Sequence, residues 1–198
     1  KTPAGLPGTL HGGRHLVRIH GVHDGTTLTF TPASISSKTT LERGEVIEIA
    51  GVEEDFVVTG NAAFAVTHYM IGQGDPNKPA DGGAGAGDPS QSMAIPVEQF
   101  RKDYTFVAPE SFDVGFVNVV AAVGTAVEVD GTVLTGADFT PIGDSGKAVA
   151  RHKLGKTPYH RATSSEPFGI VVYAYGQYTS YMYAGGLDLA KIEEPVPE

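Results

Sequence analysis

The chain has 198 residues, enough for one or two compact cores without covalent staples, and no cysteine, which excludes thiolate catalysis, cysteine-ligated zinc and a disulfide framework while leaving the compartment open. Charged residues are 19% and hydrophobic residues 40% of the chain, with 26 glycines and 13 prolines, a composition too apolar for general disorder and rich in turn formers between short elements. A formal net charge of −9 and a pI near 5.2 argue against phosphate backbones and anionic lipid, so nucleic acid is not an expected partner.

The chain begins at Lys1 with no charged-then-apolar leader, which leads to the expectation of a processed protein or an excised segment. No apolar run approaches the roughly 20 residues of a spanning helix, so no membrane insertion is expected. His11, His15, His20 and His23 crowd the N-terminal segment beside Asp24, and imidazoles at short spacing can bind zinc. On a strand, however, His15 faces one way and His20 the other, so the set does not converge and solvated histidines account for it.

The dominant pattern that follows is the two-residue alternation of strands. Leu16–Ile19, Thr27–Phe30, Glu45–Ile49, Phe56–Val58 and Phe64–Met70 form a first series, separated by Gly, Asp and Pro. His68, within the last of these, is expected to be a hydrogen-bonded core histidine rather than a ligand. Gly72 to Pro89 has almost no side chain to bury and is expected to be a long surface loop or linker. Its Asp75, Asp81 and Asp88 offer carboxylates to Ca²⁺, but Gly82–Asp88 only approximates one copy of a calcium repeat that would need several to stack.

Pro96–Arg101 is the one plausible helical turn. A second strand series runs through Tyr104–Val107, Val114–Val120, Ala126–Val129, Lys147–Arg151, Phe168–Tyr175 and Tyr178–Tyr183. Gly143-Asp144-Ser145-Gly146 resembles a chymotrypsin-type nucleophile motif, but Lys147-Ala148 follows it and no histidine has matching surroundings, so a polar β-turn is expected and Ser145→Ala should change no activity. Gly176-Gln177 suits a type II′ hairpin, which would set Tyr175 opposite Tyr178, Tyr173 opposite Ser180 and Val171 opposite Met182. Both faces of that hairpin are apolar or aromatic. Either both are covered within the chain, or Tyr173, Tyr175, Tyr178, Tyr181 and Tyr183 form a binding or assembly surface. Glu193–Glu198 reads as an acidic, proline-rich tail.

The two series resemble each other. Gly25–Phe30 has the pattern of Gly124–Val129, and Ala63–Tyr69 followed by Gly72 aligns without gaps on Pro167–Tyr173 followed by Gly176, as in a duplicated β-unit. Phe64 and Phe168 are then expected to be equivalent buried anchors.

Asp88-Pro89-Ser90 with Met93–Phe100, Tyr104–Pro109, and Pro167–Gly176 with Ser180–Gly186 resemble the N-terminal domain family of IgG Fc-binding proteins, in its bacterial surface and secreted branch. The resemblance covers roughly 87–192 well and 12–72 more loosely. It implies an extracellular or cell-surface module of a longer chain, without enzymatic activity or cofactor, and it transfers no catalytic residue.

The expected fold is all-β, with two similar β-sandwich-like halves of antiparallel strands: 1–72, a loop or linker at 73–90, 91–192, and a tail at 193–198. The expected function is a non-enzymatic structural or adhesive module of an exported or cell-surface protein. Its partners would be protein, in the form of a second copy or a neighbouring subunit, or glycan. A carbohydrate-binding module of a secreted enzyme is the alternative, and no cofactor or metal is expected. A planar strip of exposed aromatics would favour glycan; exposed strand edges or apolar hairpins would favour assembly.

Overall fold

The computed structural model describes residues 14–72 and 87–189. His11, Asp75, Asp81 and the acidic tail lie outside the described residues.

Seven strands make the first unit: β1 (His15–Gly21), β2 (Thr26–Thr31), β3 (Thr40–Leu41), β4 (Val46–Val52), β5 (Val57–Gly60), β6 (Phe64–Met70) and β7 (Ser90–Met93). They form two antiparallel sheets, β4-β1-β6-β7 and β3-β2-β5. Strict alternation along β1 and β2 aims Val17, Ile19, Leu28 and Phe30 between the sheets, where Leu41 and Ile47 join them in one core. The first sheet takes its fourth strand, β7, from beyond the Gly72–Pro89 segment.

After a single 3-10 turn at Val97–Gln99, preceded by Pro96, eight strands make the second unit. They are β8 (Arg101–Val107), β9 (Val114–Ala122), β10 (Val127–Val129), β11 (Thr132–Leu134), β12 (Phe139–Pro141), β13 (Lys147–Lys153), β14 (Tyr159–Gly176) and β15 (Thr179–Ala184). The long strand β14 organises them. Its first part pairs with β8 and β10, and its later part pairs with β9 and β15. The register breaks between Thr163 and Phe168, and there the sheet folds over on itself. Tyr104, Phe106, Val127 and Val129 thereby meet Val117, Val119, Phe168 and Ile170 in one core.

The duplication is legible in the ladders. Arg18 lies between Glu48 and Thr67 as Asn118 lies between Arg151 and Val171. Phe30 opposes Val58 as Val129 opposes Ala162. Tyr69 opposes Leu16 and Gln91 as Tyr173 opposes Phe116 and Met182. The order β4-β1-β6-β7 is therefore repeated as β13-β9-β14-β15, and the fold is all-β with two similar antiparallel halves.

Two expectations need correction. Phe64 and Phe168 are equivalent in position but not in burial: Phe168 is 0% exposed and Phe64 is half-buried. The cause is β8, whose Tyr104 ring packs edge-on to Phe168 with centroids 5.0 Å apart and donates its hydroxyl to the Phe168 carbonyl at 2.6 Å. No described strand takes that place beside Phe64. The hairpin turn also falls one residue later than expected, with Gln177-Tyr178 at its centre, Tyr175 opposite Ser180 and Tyr173 opposite Met182. Tyr178, at φ 52°, supplies the left-handed conformation that the turn needs, in place of Gly176.

The units pack directly on each other. Met70 joins Val114, Phe116, Val171, Tyr173 and Met182, while Val57 and Ile95 pack against Phe100, Val120, Ile142 and Val149. Arg151 pairs with Asp55 at 2.5 Å across the same junction. One face of the second unit's main sheet is thus covered by the first unit.

Candidate functional site

Four of the five hairpin tyrosines are internal or largely so. Tyr173 is 0% exposed, stacks on Phe116 with centroids 5.5 Å apart and donates its hydroxyl to Asn118 Oδ1 at 2.9 Å, so it belongs to the junction between units and not to a free surface. Tyr175 lies under Gly87, whose φ of +83° disfavours any other residue and where an added Cβ would crowd the ring at 3.1 Å, and burial pushes its hydroxyl pKa well up. On the opposite face, Tyr181 packs edge-on to Phe112 and stacks on Tyr183. Burial pushes Tyr181 up to about 12. Tyr183 donates its hydroxyl to the Val107 carbonyl at 2.6 Å and accepts from the Val107 N–H at 3.2 Å. Val107 is on the free side of β8, so Tyr183 plugs that sheet edge. Tyr178 alone projects, at 59% exposed.

The other candidates are dispersed. His15, expected to be solvated, is instead buried because its alternate strand neighbours Val17 and Ile19 share the core-facing side of β1, while His20 lies on the opposite face, its Nε2 3.0 Å from Thr67 Oγ1; no group of metal-ligating side chains converges among the described residues. His68 is buried, edge-on to His15. Asp88 accepts a hydrogen bond from Ser180 through its carbonyl. Ser145 donates to the Ile142 carbonyl at 2.6 Å and accepts from the Lys147 N–H at 3.2 Å, the closed arrangement of a polar turn. A pair that sequence spacing gave no reason to single out is His160, whose Nδ1 lies 2.6 Å from Asp130 Oδ2. Its imidazole is buried and stacked on Phe106, closed to any substrate, and the pair anchors the Asp130-Gly131 turn, where both residues have positive φ.

The open surface that does gather chemistry is the outer face of β4-β1-β6-β7. Val46, Glu48, Leu16, Arg18, His20, Thr67, Tyr69, Gln91 and Met93 alternate outward there, while Val17, Ile19, Ile47 and Val66 between them face the first core. Arg18 sits over the Tyr69 ring, 5.2 Å from its centroid, and pairs with Glu48 at 2.7 Å. Thr67 donates to the Tyr69 hydroxyl at 3.4 Å. The Thr67 and Arg18 contacts draw the Tyr69 pKa down, and Glu48 raises that of Arg18. Met93 ends the row at 59% exposed. This face corresponds, position by position, to the one that the first unit covers on the second: Tyr69 to Tyr173, Arg18 to Asn118 and Leu16 to Phe116.

Among the described residues no helix is long and apolar enough to cross a membrane. A family model described as IgGFc binding protein matches residues 4–174, which spans the first unit and the second as far as the late part of β14. No curated relative and no solved structure matches the chain.

Proposed function

The chain belongs to the family described as IgGFc binding protein, and from that premise we propose that it is a non-enzymatic, protein-binding module of an exported or cell-surface protein, adhesive or structural in role. Its contact surface is the outer face of β4-β1-β6-β7, and its partner is another β-unit of the same kind in a second copy of the chain.

The observation that carries this reading is the equivalence of the two sheet faces. The second unit's face is buried by a unit of like fold, and no described residue covers the first unit's matching face. Its polar network marks it for a weaker, reversible contact than the apolar junction already made, and arginine, tyrosine and methionine are residue types enriched in the cores of such interfaces. Glycan is the less favoured partner because the exposed aromatic side chains among the described residues, Tyr159 and Tyr178, stand at separate places and form no strip.

Sedimentation and native mass measurement test the reading. Concentration-dependent association is expected for the chain, with loss in Arg18→Glu and in Tyr69→Ser. A chain that stays monomeric up to its solubility limit, or association that both substitutions leave intact, refutes it.

A further inference from the structure

In the second unit, the first part of β14 lies between two strands, β10 and β8. Among the described residues its counterpart β5 pairs with β2 alone and ends its sheet. The Asn61 N–H donates to the Thr27 carbonyl at 3.1 Å, so by the alternation of an antiparallel ladder Thr59 and Val57 also face β2, while the N–H and C=O groups of Val58 and Gly60 point to the open side. Thr59 and Gly60 are exposed.

The core beneath that edge is incompletely covered. Phe56, Val58, Phe64 and Val66 are half-buried, whereas the counterparts of Val58 and Phe64, Ala162 and Phe168, are 0% exposed. The difference is β8, which sets Tyr104 opposite Ala162 and Phe106 opposite His160 and inserts both rings into the second core. Tyr183 then seals the outer side of β8; no described residue seals β5 in that way.

We propose that the β5 edge is a strand-acceptor site: an extended segment of a partner polypeptide, with two aromatic side chains two residues apart, adds antiparallel to β5. Its main chain bonds Val58 and Gly60, and its aromatic rings cover Val58, Phe64 and Phe56 as Tyr104 and Phe106 cover the second core. The site lies apart from the Arg18–Tyr69 face and goes beyond the protein-binding reading by adding a second, extended partner.

The probe is a synthetic peptide of the β8 sequence, Arg101 to Val107, added to the intact chain while backbone amide exchange is followed by NMR. Val58 and Gly60 should exchange freely in the chain alone and lose that exchange with peptide, but keep it with a peptide in which both aromatics are serine. Val58→Pro, which removes an outward N–H that β2 does not use, should abolish binding of the peptide; Arg18→Glu should leave it unchanged, so the two surfaces fail separately. Protection of Val58 and Gly60 without peptide, no protection with it, or equal protection by the serine peptide each overturns the proposal, with no reliance on how well the proline variant folds.

Discussion

Tyr69 and Tyr173 hold the same position in two copies of one sheet and meet opposite surroundings: Tyr69 lies open beneath Arg18, and Tyr173 is sealed between the units with its hydroxyl on Asn118. Tyr173→Phe removes a buried hydrogen bond and should cost about 1–3 kcal/mol. Tyr69→Phe, on a half-open surface, should stay within about 0.5 kcal/mol of wild type. Urea unfolding of the two variants side by side checks the contrast; equal midpoints would mean that the faces are equally open.

Phe168 and Phe64 should separate in the same way. Phe168→Ala empties a fully buried site under Tyr104 and should cost about 3–5 kcal/mol. Phe64→Ala, in the half-covered core, should cost roughly half as much. A Phe64 variant as destabilised as the Phe168 variant, measured by denaturant midpoint, would mean that the first core is closed on the β5 side.

Acid should weaken the fold through His15. Burial, aided by the Arg151 charge, holds its pKa down at about 3, against about 6.5 when unfolded. Between these values the unfolded chain binds the proton and the native chain does not, so this contribution is complete above pH 6.5 and is lost as pH falls toward 3. The slope should approach about 1.4 kcal/mol per pH unit within that window. His15→Leu should flatten the dependence of stability on pH between 4 and 6.5; an unchanged slope in that variant assigns the effect elsewhere.

Tyr178→Gly should raise stability by about 1 kcal/mol, because Tyr178 sits at φ 52°, where an L side chain is strained and glycine is not. A calorimetric melting temperature below wild type would show that the exposed ring makes contacts outweighing that strain.

The all-β class was legible in the alternation of strands such as Leu16–Ile19, and the duplication in the match of Ala63–Tyr69 to Pro167–Tyr173, because strand periodicity and repeats are local properties of a chain. The turn at Ser145 was legible for the same reason. The fate of the hairpin tyrosines was not. Both faces of β14 and β15 are apolar, and which ring is sealed depends on Met70 arriving from the first unit, Gly87 closing over Tyr175, and Val107 bringing its free edge to Tyr183. Local pattern also placed the hairpin turn on Gly176, where glycine is at ease, whereas the Tyr175–Ser180 and Tyr173–Met182 pairs settled the ladder one residue later and forced Tyr178 into the left-handed region. The open Arg18–Tyr69 face and the bare β5 edge are likewise tertiary facts. Each is defined by a neighbour that the second unit has and the first, among the described residues, does not, and a relation between residues so far apart in the chain leaves no mark on the pattern of either segment alone.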